Sequence, residues 1–273
     1  MTEDSLHYDG TLAVIGGGRM GEAIVGGLVR SGAVPAASIT VAEPSLERRD
    51  ALSAAFGVHC VADGAEALPS DTVILAVKPQ VIDAVAAALS SKLAGSLIVS
   101  IAVGITCARL EAALPSGTPV VRVMPNTPAL VGEGMSVVSG GTEATAAQTE
   151  IVRALFASLG RSIVLEERYQ DAAAAISGSG PAYFALVVDA LARGGVRQGL
   201  ARDVAQALAI QTMLGTAKLL DTTGMHPEAL VDGVTSPGGT TIAAVEALEA
   251  RAVRSAFAEA VAAAVHRSKE LGS

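Results

Sequence analysis

Leu12-Ala13-Val14-Ile15-Gly16-Gly17-Gly18-Arg19-Met20-Gly21 is an apolar run that passes straight into a glycine-rich turn, and Ile24 and Leu28 follow it at helical spacing. The glycines match G-x-G-x-x-G in the setting that gives the pattern meaning, between a strand and a helix. Gly16 permits a tight turn, Gly18 lets the backbone approach a pyrophosphate, and Gly21 allows the helix to pack closely on the strand. The helix start adds free N–H groups and the positive end of its dipole. A merely structural glycine turn is the competing reading. The strand before it, the helix after it and the position near the chain start favour a dinucleotide site.

Similar runs recur at Ile39–Ala42, 72–77, 97–101, Val120–Met124 and 136–138, with helical spacing between them, as in Leu46 and Leu52. Near-continuous apolar runs mark strands covered on both faces. The alternation predicts an α/β, Rossmann-type N-terminal domain with a mostly parallel sheet over residues 1–165. Beyond it the strand-like runs stop and Ala-rich helical stripes take over. Phe184, Val187, Val188 and Leu191 form one, and Val253, Phe257, Val261 and Val265 another. An all-α C-terminal domain over 166–273 is expected, with an apolar face left for a partner chain.

The 273 residues carry a formal charge of −8, from 19 basic and 27 acidic side chains. That balance argues against nucleic acid, whose phosphates need Lys and Arg, and against acidic membranes. Cys60 and Cys107 suit neither a disulfide framework nor a zinc site, so buried thiols in a reducing compartment and no metal are expected. The start, Met1-Thr2-Glu3-Asp4, lacks the features of a secretory signal, and no uninterrupted apolar run reaches the ~18 residues of a membrane span. A cytoplasmic protein is the expectation.

Glu43 lies about 20 residues past the last glycine, where an acidic group bonds the adenosine ribose and favours NADH. Arg48 and Arg49 follow closely, and guanidinium groups there would pair with the 2′-phosphate of NADPH. The arginines tip the expectation narrowly to NADPH, with NADH kept open. Lys78-Pro79 and Met124-Pro125-Asn126-Thr127-Pro128 break the chain after two strands, at the sheet edge where such folds bind ligands. In the helical half, Val234-Thr235-Ser236-Pro237-Gly238-Gly239-Thr240-Thr241 precedes a helical pattern at Ile242, Val245 and Leu248. Glycine N–H groups, hydroxyls and a helix start together suit a small carboxylate, although a simple turn and N-cap has the same look.

Taken with Arg122-Val123-Met124-Pro125-Asn126-Thr127-Pro128, Gly132-Glu133-Gly134-Met135 and Ser177-Gly178-Ser179-Gly180-Pro181-Ala182-Tyr183, this loop resembles the pyrroline-5-carboxylate reductase family in order and spacing. Gln211-Thr212-Met213 and Arg267-Ser268-Lys269-Glu270-Leu271 extend the likeness over essentially the whole chain. The resemblance implies reduction of Δ1-pyrroline-5-carboxylate to L-proline with NAD(P)H, the last step of proline biosynthesis. It also implies a homodimer through the helical domain, higher assemblies of such dimers, and an active site at the cleft between the domains. Carried over, Gly16, Gly18, Arg19, Met20 and Gly21 hold the pyrophosphate. Ala76, Val77, Lys78 and Pro79 with Met124, Pro125 and Asn126 flank the nicotinamide, and Val234, Ser236, Gly238, Gly239, Thr240 and Thr241 cradle the substrate. Many relatives have threonine where this chain has Ala174, which removes one local hydroxyl. Thr241 is the candidate for orienting the imine nitrogen, since no histidine falls at the expected site and His226 reads as a cap before Pro227. Two rivals remain at this level. A β-hydroxyacid-dehydrogenase-like enzyme would use a lysine such as Lys218, and a non-catalytic dinucleotide sensor would keep the fold without turnover.

Overall fold

The apolar runs of the first half become strands because each successive residue has a different core to enter. In the computed structural model, which describes residues 7–272, β1 (Leu12–Ile15) is buried along its length and turns through Gly16, Gly17 and Gly18 into α1 (Arg19–Arg30). β2 (Ile39–Ala42) returns parallel to β1, and α2 (Leu46–Phe56) follows, capped by the Ser45 hydroxyl, which accepts from the Arg48 N–H. β3 (His59–Val61), β4 (Thr72–Leu75), α3 (Ile82–Leu89), β5 (Leu97–Ser100), α4 (Cys107–Ala113) and β6 (Val120–Met124) continue the alternation. β7 (Gly134–Gly140), α5 (Ala146–Ala157) and β8 (Gly160–Val164) close it. A capping box between Thr145 and Gln148 starts α5.

The strands form one sheet in the order β3-β2-β1-β4-β5-β6-β7-β8, parallel except between β6 and β7. Leu12 and Val14 join a core with Ile24, Leu28 and Phe156, while Ala13 and Ile15 join a second with Ile82, Leu89 and Leu110 on the other face. The chain leaves β1 for β2 on one side and later returns for β4 on the other. That change of direction opens a crevice at the C-terminal ends of the strands.

Several element bounds differ from the sequence expectation. β4 and β5 end at Leu75 and Ser100, before the apolar runs do, because residues 76–77 and 101 already belong to the loops of the sheet edge. β7 is longer than 136–138. β3 and β8 are unforeseen strands: both are edge strands, partly exposed, and so lack a continuous apolar run.

Six helices follow: α6 (Gln170–Ser177), α7 (Gly180–Arg197), α8 (Arg202–Thr223), α9 (Pro227–Val234), α10 (Thr240–Glu249) and α11 (Val253–Gly272). By compactness one unit runs to Ser179 and takes back the chain end from Ala264, and the other is Gly180–Ala263. This division differs from the 165/166 junction, where helical texture begins. α6 stays with the sheet because Gln170 is fully buried and its Nε2 donates to the Val137 carbonyl (3.1 Å) and Ser139 Oγ (2.8 Å). The Gly180–Ala263 unit has almost no core of its own. Its buried apolar side chains are Ala192, Ala205 and Ala209, while Phe184, Leu186, Leu208 and Leu214 are each more than half exposed.

Gly21 tests the packing of β1 on α1. A Cβ there would collide with the Gly16 carbonyl oxygen, a backbone atom with nowhere to move. Gly21→Ala is therefore expected to lower stability by about 1–3 kcal/mol, despite the ~1 kcal/mol helical preference of Ala. Chemical denaturation would check it, and an unchanged midpoint would contradict the close approach.

Candidate functional site

Gly16 adopts φ +110°, and a Cβ on it would stand 2.7 Å from the Ala76 carbonyl oxygen. Its N–H donates to the Ala42 carbonyl and the Ala76 N–H to the Ile15 carbonyl, both at 2.9 Å, so the turn is stitched to the ends of β2 and β4. Gly18 is the N-cap of α1, and no side chain caps that helix. No atom lies within 4 Å of where a Gly18 Cβ would project. The first N–H groups of α1 thus have no side-chain acceptor and open space before them, which fits a pyrophosphate. Arg19 is exposed beside this space, and Met20 is half-buried against the core. A cavity of about 220 Å³ opens next to the turn, lined by Ile15, Gly16, Ala42, Pro44, Gly64 and Val77 among others. Its largely apolar walls suit the flat adenine end of a dinucleotide.

Glu43, expected to meet the ribose, is committed to the turn. Its Oε2 accepts the Gly17 N–H and its Oε1 the Ser45 N–H, both at 3.0 Å. Arg48 holds the next peptide of the turn: Nη2 and Nε donate to the Gly17 carbonyl at 2.6 and 3.2 Å, and Nη2 also pairs with Glu22 at 2.9 Å. Arg49 donates to the carbonyls of Glu43 and Pro44, each at 2.8 Å. These roles were not legible from spacing, because a side chain's partner one strand away is set by the sheet.

Among the residues expected to flank the nicotinamide, Ala76, Val77 and Pro79 are half-buried and Lys78 is exposed as the cap of a short 3-10 turn. Met124 ends β6, and Gly178 makes room for it, since a Cβ there would lie 2.8 Å from Met124 Cε. Asn126, expected to touch cofactor, has both ends of its buried amide engaged by protein. Nδ2 donates to the Ser177 carbonyl (3.0 Å) and Oδ1 accepts the Met135 N–H (2.9 Å). Sequence reasoning missed the role of Arg122, which lies buried in β6 with Nη1 3.3 Å from Glu167 Oε1 and Nη2 3.6 Å from Asp171 Oδ1. A lone charge inside Val120-Val121-Arg122-Val123, with acidic residues downstream, was the available signal. Cys107 is buried as expected, whereas Cys60 is only partly so. Burial, reinforced by Glu167 nearby, pushes the Cys107 thiol up to about 12, which keeps it protonated and unreactive at neutral pH.

In the helical unit, Val234 ends α9 and is exposed, and Gly238 turns at φ +66°. The Gly239 N–H donates to the Ser236 carbonyl at 3.0 Å, so this amide holds the turn and is not free for a ligand. Gly239 is the N-cap of α10, again without a side-chain cap, which leaves the Thr240 and Thr241 N–H groups facing outward from the helix start. His226 is the N-cap of α9, its Nδ1 accepting the Glu228 N–H at 3.2 Å. Lys218 lies exposed on α8. Among the described residues no cluster of His, Cys, Asp and Glu could hold a metal ion.

The family profile for pyrroline-5-carboxylate reductase dimerisation matches residues 167–271, and that for coenzyme F420-dependent NADP oxidoreductases matches residues 11–104. A pyrroline-5-carboxylate reductase of Synechocystis sp. is 45% identical over 262 residues, covering 96% of this chain and 98% of that protein. The solved reductase of Coxiella burnetii superposes with a TM-score of 0.92 at 36% identity, over 97% of this chain and 100% of its own. The Plasmodium falciparum pyrroline carboxylate reductase, solved with NADP bound, gives 0.89 at 29% identity, over 98% and 100%.

Because Glu43 braces the Gly17 peptide, Glu43→Ala should weaken NADH and NADPH by the same factor, about 10-fold for a lost charge-assisted hydrogen bond. Fluorescence titration with each dinucleotide checks this. A loss confined to NADH would instead assign the carboxylate to the ribose.

Proposed function

Since the chain belongs to the pyrroline-5-carboxylate reductase family, we propose a residue-level assignment of how it carries out that chemistry. It reduces Δ1-pyrroline-5-carboxylate to L-proline with NAD(P)H, the final step of proline biosynthesis. The observation that carries the assignment is a pair of uncapped helix starts behind glycine turns. α1 follows Gly16, Gly17 and Gly18, and α10 follows Gly238 and Gly239. Each is a seat for an anion, one for the pyrophosphate and one for the substrate carboxylate.

Gly16, Gly18, Arg19, Met20 and Gly21 hold the pyrophosphate, and Glu43 keeps the turn in shape. Arg48 and Arg49 favour NADPH over NADH. The partly exposed Glu22 carboxylate that pairs with Arg48 is a partner a 2′-phosphate can replace. Ala76, Val77, Lys78 and Pro79 frame the nicotinamide with Met124 and Pro125, and Asn126, whose amide is engaged by protein, supports that loop from behind. Bound NAD(P)H supplies the hydride that the imine carbon accepts. The chain's own residues position the reactants. The Thr240 and Thr241 N–H groups, with the Ser236 and Thr240 hydroxyls, hold the carboxylate beside Val234, Gly238 and Gly239. The Thr241 hydroxyl orients the ring nitrogen, whose proton comes from solvent or arrives with the substrate. His226 takes no part, being committed to its cap.

The protein is a homo-oligomer, for which the match to the dimerisation profile and the uncovered apolar side chains of α7 and α8 are the support. We infer a homodimer through the helical domain, further assembly of dimers, and a cytoplasmic location without nucleic-acid or membrane partners. By length and composition Glu167–Arg197 is apolar enough to cross a membrane. The break at Gly178 and Ser179, the charges of Asp189 and Arg193, and the tie of Glu167 and Asp171 to buried Arg122 favour burial against protein instead.

Initial rates of NADPH and NADH oxidation with Δ1-pyrroline-5-carboxylate, with proline identified as product, test the assignment. Faster oxidation of NADPH is expected; no oxidation of either, with dinucleotide binding intact, would overturn it. Thr241→Ala should reduce kcat about 10-fold, the worth of one lost hydrogen bond, and leave dinucleotide affinity unchanged. Parallel loss of both would place Thr241 outside the substrate seat.

A further inference from the structure

We propose that Arg122 and Asn126 are positioning residues for hydride transfer, fastening the nicotinamide-side loop at its two ends to the helix α6. The inference rests on the assignment of Met124 and Pro125 to the nicotinamide. These two residues lie between the fastenings. On one side, the Arg122 guanidinium, 6% exposed, meets Glu167 just before α6 and Asp171 in its first turn. Neither carboxylate is free to drift: Glu167 Oε1 also accepts the Cys107 N–H at 2.8 Å, and Asp171 Oδ1 accepts the Ser268 hydroxyl at 2.9 Å. On the other side, Asn126, 8% exposed, donates to the carbonyl of Ser177, the last residue of α6, and accepts from the Met135 N–H that opens the next strand.

The residue types match these tasks. A planar, forked cation spans two carboxylates where an ammonium reaches one. Asn126 must donate to a carbonyl and accept from an amide at once, and an amide side chain does both. Aspartate has the same shape but sets an oxygen against the Ser177 carbonyl. Alanine removes both contacts. Hydride transfer demands near-contact of the reacting atoms, so a displacement of about 1 Å in the supporting loop costs on the order of 100-fold in rate. Such a displacement leaves the pyrophosphate turn untouched, so binding and turnover should separate.

The test uses the full chain with Asn126→Asp, Asn126→Ala and Arg122→Lys. Single-turnover oxidation of NADPH at saturating Δ1-pyrroline-5-carboxylate reads the hydride step, with NADPH deuterated at the transferred position confirming that this step is observed. Titration gives NADPH affinity and thermal unfolding gives fold integrity. The expected result is a 10- to 100-fold slower, isotope-sensitive step in Asn126→Asp, with NADPH affinity within about 3-fold of the parent and a cooperative unfolding transition. Arg122→Lys should fall between Asn126→Asp and the parent; if it does not fold, the Asn126 variants decide alone. An unchanged single-turnover rate in folded Asn126→Asp overturns the inference, as does a loss shared equally by affinity and rate. Inactivity of the parent chain would instead overturn the assignment on which the inference rests.

Discussion

No side chain fits at Gly16, where the chain turns at φ +110° with its Cα pressed toward the Ala76 carbonyl, and the architecture of the dinucleotide site depends on that contact. Because β1 can end there, α1 starts at the sheet edge with its free N–H groups facing open space. The turn is then secured from three sides: the end of β2 through Ala42, Glu43 on the Gly17 N–H, and Arg48 on the Gly17 carbonyl. Two successive peptides held in this way are restrained before an anion arrives, so less binding free energy goes into ordering the loop. On the proposed assignment of Arg48, the cation that holds the turn is also the one that meets a 2′-phosphate, so cofactor choice and loop stiffness are coupled.

A second constraint governs the helical half. The unit Gly180–Ala263 buries small side chains, chiefly Ala192, Ala205 and Ala209, where α7 and α8 approach each other. Its larger apolar groups, such as Phe184, Leu186 and Leu214, remain uncovered within the chain. Small residues allow close helix packing but remove little apolar area from water. Apolar surface left uncovered in this way is the kind that a homo-oligomer buries. Homo-oligomerisation is in this sense part of the folding thermodynamics of the helical unit.

The polar network between the sheet and α6 centres on one buried cation. Arg122 would be costly to bury alone, and its desolvation is offset because the guanidinium meets the partly exposed carboxylates of Glu167 and Asp171, on which the Cys107 N–H and the Ser268 hydroxyl occupy further acceptor positions. These contacts form one connected network. It ties the chain end near Ser268 to the strand that leads into Met124, two segments 144 residues apart in sequence.

The sequence by itself determined the glycine turn between strand and helix, the central strands with their two-sided burial, the helical second half and the family. Each of these rests on local pattern: periodicity, turn chemistry and the order of motifs. Glu43 as a brace, Arg48 as its counterpart, Asn126 as a tie and the buried pairing of Arg122 were decided only by tertiary structure. Their partners across strands or helices lie 26 to 51 residues away, such as Gly17 for Glu43 and Ser177 for Asn126. The edge strands β3 and β8 escaped for the same reason, since half-exposed strands are defined by pairing to a neighbour and not by composition. Spacing reveals which residue types are available near a site. Which atoms they spend their hydrogen bonds on depends on what the sheet brings beside them.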